Sequence, residues 1–350
     1  VRTGSGASTL SGSPGPRNRP DQPGPTASNP TPEDHAILAS LNVLVTMRFN
    51  EAQLERLRAA SPRLRVTCED PAKADYSRTD ILYTGMPPRD LGRAPGLKWV
   101  QLHLAGVNGL YDHPIYTDTA IPLTTTSGVH AATIAEYAIT VLLALAHRVP
   151  RMVEWHAKGA WPADEQRWPL FVPTEVRGAT LGIIGYGSIG RELARIAKTA
   201  FAMTVIACKR DPSRRVDPGY GLPGTGDPEG HLPDEWLPPE RLAELLARSD
   251  VVAMCAPLTP ETRHMIGAKE LGAMKPSAYF INIGRGATVD EDALTQALAE
   301  KRIAGAAVDV FAQEPPPADH PFYGLGNIIL SPHVSGFIPS YDDKCSELFA

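Results

Sequence analysis

The sequence predicts an α/β protein made of two units, each built on a parallel sheet. Three observations predict this. Short apolar runs alternate with helix-forming stretches between residues 41 and 128, and the alternation starts afresh at Ala179. The second series opens on a strand, a glycine turn and a helix, "ATLGIIGYGSIGRELARIAKTA". Its strands are near-continuous Val, Ile and Ala runs, the pattern of strands covered on both faces.

Taken in order, residues 1–34 hold seven prolines and almost nothing apolar. They cannot offset the entropy of ordering, and a disordered tail is expected there. The first residue is Val rather than Met, so a fragment or a processed product is expected. "LNVLVTMRF" (41–49) is the first strand and "NEAQLERLRAA" an amphipathic helix. "RLRVTCE", "DILYTGM" (80–86), "LKWVQLHLAGV" (97–107) and "IPLTTTSG" (121–128) supply further strands. One helix is expected over 130–150. Its apolar part, "IAEYAITVLLALAH" (134–147), is too short to span a bilayer and carries Glu136, so it reads as a buried helix.

In the second series, "MTVIACK" (203–209), "DVVAMCAP" (250–257), "AYFINIG" (278–284), "IAGAAVDVF" (303–311) and "NIILSP" (327–332) are strands. "PPERLAELLARS" and "DEDALTQALAEKR" have helical periodicity and strong helix formers. Residues 211–240 are rich in Pro, Gly and Asp and read as a long loop.

Composition removes several functions. Apolar residues make up 43% and charged residues 21%, ordinary for a soluble globular chain. With 34 Lys and Arg against 39 Asp and Glu, the net charge is −5, so no nucleic-acid or membrane partner is expected. Cys68, Cys208, Cys255 and Cys345 are scattered, without C-x-x-C or a ligand-like His spacing. That argues against a disulfide scaffold or a metal site and fits a cytoplasmic protein.

Gly185, Gly187 and Gly190 have the G-x-G-x-x-G spacing, with Tyr186, Ser188 and Ile189 between them. The first glycine permits a tight turn, the second lets backbone approach a pyrophosphate, and the third lets the helix pack on the strand. The helix N-terminus then offers free N–H groups to the phosphates. The next strand would normally end in an acidic residue for the adenosine ribose. Here "VIACKRDPSRR" places Lys209 and Arg210 there, which favours a 2′-phosphate and therefore NADP over NAD. Asp211 taking the ribose after a small shift in register is the other reading.

Three more segments end strands on chemistry-bearing side chains. Arg285 lies in "INIGRGATVDEDAL", Glu314 in "AAVDVFAQEP" and His333 in "LSPHVSG". In an open parallel sheet such loops converge on the cofactor crevice, so the three together point to a hydride-transfer site.

The ordered run of the glycine loop, "CAPLTPETRHMIG", "NIGRG", "GAAVDVFAQEP" and "SPHVSG" resembles the D-isomer-specific 2-hydroxyacid dehydrogenase family, glyoxylate/hydroxypyruvate reductases included. "LKWVQLHLAGVNGL" and "TIAEYAITVLLALAHR" resemble its substrate loop and interdomain helix. The resemblance implies a Rossmann cofactor domain (131–332) inserted in a flavodoxin-like substrate domain (35–130 with 333–350). It also implies a homodimer.

By the same resemblance, His333 is the acid–base group, Glu314 its partner and Arg285 the clamp on the substrate carboxylate. Leu104, Ala105 and Gly106 form the substrate loop. Cys255, Pro257, Thr262 and Ile283 line the cofactor, and Asp309 anchors the nicotinamide carboxamide. The substrate is then a small 2-oxo or 2-hydroxy acid. Asn108 stands where the family usually has Asp and reads as a turn difference, and the chain ends at Ala350 inside an expected helix. Two rival functions are a non-enzymatic NAD(H) sensor or corepressor, and a formate- or phosphite-type dehydrogenase.

Overall fold

The computed structural model describes residues 40–350; the expected tail at 1–34 lies outside the described residues. Five strands, β1 (Leu41–Val45), β2 (Leu64–Cys68), β3 (Ile81–Thr84), β4 (Trp99–Leu102) and β5 (Leu123–Thr124), form one sheet in the order β2-β1-β3-β4-β5. Every pairing in it is parallel. Helix α1 (Glu51–Ala59) joins β1 to β2, and the short α2 (Pro114–Thr117) precedes β5. Asn50 starts α1 with a capping box, accepting from the Gln53 N–H at 3.0 Å while Gln53 Oε1 accepts from the Asn50 N–H at 2.8 Å.

Next come α3 (Ala131–Ala146), α4 (Val149–Ala157) and α5 (Asp164–Phe171). The single helix expected over 130–150 is thus two helices, bent by 64° at the break. Arg148 sits there with φ +57°, and Pro150 explains the break. A proline inside a helix lacks the N–H and clashes with the preceding turn, but it is tolerated in a first turn. The β-branched Ile134, Ile139 and Val141 cost α3 a few tenths of a kcal/mol each in propensity, roughly, whereas burying each contributes about 1.5–3 kcal/mol. Packing decides this helix. No single helix among the described residues is long and apolar enough to cross a membrane.

The second sheet holds seven strands: β6 (Thr180–Ile184), β7 (Thr204–Cys208), β8 (Glu235–Leu237), β9 (Val251–Met254), β10 (Tyr279–Asn282), β11 (Gly305–Val308) and β12 (Ile328–Leu330). Their order is β12-β11-β10-β9-β6-β7-β8, all parallel, so the winding reverses between β6 and β9. On one face α3 and α6 (Ser188–Phe201) bury Ala138, Leu142, Leu193 and Ala197. On the other, α7 (Leu242–Arg248), α8 (Ala268–Ala273) and α9 (Glu291–Ala299) bury Leu245, Leu271 and Leu294. The last helix, α10 (Tyr341–Phe349), returns to the first sheet and buries Cys345 in the same cluster as Leu54, Leu57 and Tyr83.

The stretch read as one loop over 211–240 contains β8, a three-residue edge strand too short and too polar to show periodicity. The remainder is a strap. Its base is held to α6: Arg191, only 2% exposed, pairs with Asp217 at 3.2 Å and donates to the Arg215 and Asp227 carbonyls, and Glu192 accepts from the Gly226 N–H at 2.6 Å. The Tyr186 hydroxyl donates to Asp227 at 2.8 Å. Its tip crosses to the other sheet, where Tyr220 packs on the cluster containing Val129 and Cys345. A Cβ on Gly128 would come within 2.2 Å of the Tyr220 carbonyl oxygen.

Candidate active site

The winding reversal places the loops after β6 and β9 on either side of a crevice at the strand C-terminal ends, where open parallel sheets take ligands. Gly185 has φ +94°, and a Cβ on it would meet the Ala256 nitrogen at 2.6 Å. A Cβ on Gly190 would meet the Gly185 oxygen at 2.7 Å. Gly187, in contrast, faces open space, with no heavy atom within 4 Å of where its Cβ would lie. It is also the residue before α6, so the unpaired N–H groups of Ser188, Ile189 and Gly190 open onto that space. A pyrophosphate fits this cradle.

Around the crevice, Cys255 and Pro257 follow β9, and Ile283 follows β10 and is buried. Desolvation pushes the Cys255 thiol up to about 12, so it stays protonated and is no nucleophile. The Thr262 hydroxyl donates to the Pro257 carbonyl and accepts from the Thr259 N–H, both at 2.7 Å, which holds that loop in shape. At the end of β7, Lys209 is half-buried and its ammonium donates to the Arg214 carbonyl, while Arg210 is exposed. Burial first, and the nearby Arg191 second, lower the Lys209 pKa. The Asp211 carboxylate is occupied by the N–H and hydroxyl of Ser213, at 3.0 and 2.5 Å.

Arg285, after β10, is a half-buried cation of the cleft. Its Nε donates to Asn108 Oδ1 at 2.9 Å and its Nη1 to the Gly284 carbonyl at 2.6 Å. Nη2 lies against Gly106, where a Cβ would approach to 2.3 Å. Leu104, exposed, and the half-buried Ala105 complete that loop. Burial lowers the Arg285 pKa, opposed by Glu314 and then Tyr111, yet a guanidinium stays charged. Glu314 Oε1 accepts from the Phe311 N–H at 3.0 Å, and Oε2 receives His333 Nδ1 at 2.8 Å. His333 has φ +55° and donates its N–H to the Asp309 carbonyl at 2.8 Å. The fully buried Asp309 carboxylate accepts from the Ser331 hydroxyl at 2.5 Å and from the Val334 and Ser335 N–H groups at 2.9 and 3.1 Å. It therefore shapes the loop that presents His333.

A search against family models matches residues 139–335 to "D-isomer specific 2-hydroxyacid dehydrogenase, NAD binding domain". The glyoxylate reductase of Aeropyrum pernix is 37% identical over 262 residues, 73% of each chain. This chain belongs to the D-isomer specific 2-hydroxyacid dehydrogenase family. It is an NAD(P)-dependent oxidoreductase, with the two-sheet fold that such dehydrogenases share. Among solved structures, the Xanthobacter autotrophicus 2-hydroxyacid dehydrogenase in complex with NADPH and MES superposes with a TM-score of 0.70 at 26% identity, covering 89% of this chain and 93% of that one. The NADPH-dependent glyoxylate/hydroxypyruvate reductase of Sinorhizobium meliloti, in complex with NADP and malonate, gives 0.63 at 28% identity, covering 89% and 92%.

One residue of this dehydrogenase was misjudged from sequence. Asn108 is not a turn difference: besides accepting from Arg285, its Nδ2 donates to the Leu258 carbonyl at 2.9 Å, and the Tyr111 hydroxyl donates to the same carbonyl at 2.7 Å. Only an amide both accepts and donates here; a carboxylate cannot donate to Leu258. The signal was the amide at that position, read without its partners.

Proposed function

We propose that this dehydrogenase reduces a small 2-oxo acid, of the glyoxylate or hydroxypyruvate kind, to the D-2-hydroxy acid, using NADPH in preference to NADH. The observation that carries the proposal is the 2.8 Å Glu314–His333 pair held within electrostatic reach of the half-buried Arg285. Two charged forks of Arg285 are engaged by protein, and Nη2 beside Gly106 is the one left to take the substrate carboxylate. The N–H groups of Ala105 and Gly106 serve the other carboxylate oxygen.

The bound nicotinamide supplies the hydride. His333 donates its Nε2 proton to the carbonyl oxygen as the carbon is reduced, leaving a neutral ring and an alcohol. Glu314 on Nδ1 fixes the ring's orientation and leaves Nε2 facing the substrate's place. In the reverse direction the neutral ring takes the hydroxyl proton. Gly185 to Gly190 hold the pyrophosphate, and Cys255, Pro257, Thr262 and Ile283 line the rest of the cofactor. A carboxylate offers about four lone-pair sites. Three donors already use the fully buried Asp309 carboxylate, so anchoring the nicotinamide carboxamide on its remaining site requires the 331–335 loop to shift.

The preference for NADPH is supported by Lys209 and Arg210 at the end of β7, where the carboxylate next in sequence, Asp211, is already engaged by Ser213. The relatives solved with NADPH or NADP are consistent with it. On this reading residues 35–130 and 333–350 form the substrate domain and 131–332 the cofactor domain. Val153, Trp161 and Trp168, exposed along and between α4 and α5, support a homodimer.

The deciding experiment follows absorbance at the reduced-nicotinamide band with NADPH and NADH in parallel, against glyoxylate, hydroxypyruvate and pyruvate. Oxidation with a higher kcat/KM for NADPH is expected. A preference for NADH overturns the role of Lys209 and Arg210. Absence of turnover with all three acids overturns the reductase assignment.

A further inference from the structure

A second imidazole stands at the cleft. His130 precedes α3, and its Nδ1 lies 2.8 Å from the Gly336 carbonyl, in the same loop as His333. A carbonyl only accepts, so Nδ1 carries the proton. One face of the ring is stacked on Tyr341, with centroids 4.5 Å apart and planes at 18°. The Tyr341 hydroxyl donates to the carbonyl of His103, the residue before Leu104, at 2.6 Å. His130 is therefore pinned between the segment that carries the carboxylate loop and the segment that carries the acid.

The ionisable groups that act on it are Arg285 and His333. Burial first, and then these two neighbours against the Gly336 bond, hold its pKa below that of an ordinary imidazole. The ring is neutral at neutral pH. With the proton on Nδ1, its Nε2 presents a lone pair, and no donor among the described residues reaches it. A neutral acceptor beside a carboxylate clamp and a proton donor is chemically specific. It takes a hydrogen bond from a hydroxyl and gives nothing to a methyl group or a second carboxylate.

We propose that His130 is a specificity residue whose Nε2 accepts a hydrogen bond from a hydroxyl on carbon 3 of the substrate, so that the site favours 3-hydroxy-2-oxo acids over their unsubstituted counterparts. The inference rests on the reductase reading above. With carbon 1 on Arg285 and the carbon 2 oxygen at His333, the carbon 3 substituent is the part of the molecule left to meet His130.

The test compares kcat/KM for hydroxypyruvate, glyoxylate and pyruvate in the wild type, His130→Asn and His130→Phe. Asn keeps a donor for the Gly336 carbonyl but has no group at the Nε2 position; Phe keeps the stack on Tyr341 without either nitrogen. The hydroxypyruvate-to-pyruvate ratio is expected to fall about tenfold in both variants, the loss of one hydrogen bond. A ratio within twofold of wild type in an active variant overturns the inference, as does an equal fall on all three acids, the signature of a packing defect. Near-ultraviolet circular dichroism identifies a variant that does not fold, and the other then carries the test. A wild type inactive on every acid sinks the reductase reading itself, and this inference with it; an unchanged ratio sinks the inference alone.

Discussion

The two halves of the site are built by opposite means. On the cofactor side, the turn after β6 is shaped by what is missing: atoms of Ala256 and Gly185 occupy the places where side chains at 185 and 190 would stand. On the substrate side, Arg285, Asn108, Glu314, His333 and Asp309 are held by side-chain hydrogen bonds whose members lie up to 177 residues apart. The first half tolerates almost no change of volume and the second almost no change of polarity. One is a fit of backbone to backbone, the other a network in which each donor depends on a distant acceptor.

Substitutions that exchange these demands break the comparison or sharpen it. The largest effect is expected from His333→Ala, which removes the proposed proton donor and leaves Glu314 without its partner. Steady-state kinetics should show kcat reduced by about 10²–10⁴-fold, the usual worth of a general acid. Fluorescence titration should show cofactor affinity unchanged, since the ring makes no contact with the glycine turn. A near-normal kcat removes His333 from the chemistry.

Gly185→Ala comes next. The residue has φ +94° and its new methyl would meet the backbone of Ala256 at 2.6 Å, so nothing flexible can give way. A loss of about 1–3 kcal/mol, as for overpacking, should appear as a lower Tm together with weaker cofactor binding. Unchanged Tm and affinity would show that the turn has more slack than its contacts allow.

The smallest effect belongs to Asn108→Asp, a change of one atom. The carboxylate still accepts from Arg285, but it offsets the positive charge proposed to hold the substrate carboxylate and leaves the Leu258 carbonyl with Tyr111 alone. The KM for 2-oxo acids should rise several-fold, about 1 kcal/mol, with kcat less affected. An unchanged KM would mean that the charge on Arg285 is insensitive to its neighbour.

The asymmetry also explains what could be read from the chain beforehand. The glycine turn is local: strand, spacing and helix lie within twenty-odd residues, and at Gly185 and Gly190 there is no room for a side chain. The strands of the second sheet other than β8 were equally legible, because burial on both faces leaves apolar runs such as "VVAM" and "YFI". Arg285, Glu314 and His333 could be named from their places after strands, yet nothing in sequence pairs Arg285 with Asn108, since that contact exists only once the two sheets face each other. The same holds for His130, whose meaning depends on a carbonyl more than two hundred residues away. The break between α3 and α4 was missed for a different reason: apolar periodicity runs through Pro150, and one residue without an N–H outweighed it.

The strap over 211–234 carries a consequence for turnover. Rooted beside the cofactor turn through Arg191 and Tyr186, it rests its tip, Tyr220, on the far sheet's Gly128 and the cluster around Cys345. Any breathing of the cleft has to peel that ring from its seat, and each peeling exposes apolar surface to water. Opening the cleft would therefore carry a cost set by a tyrosine outside the catalytic residues.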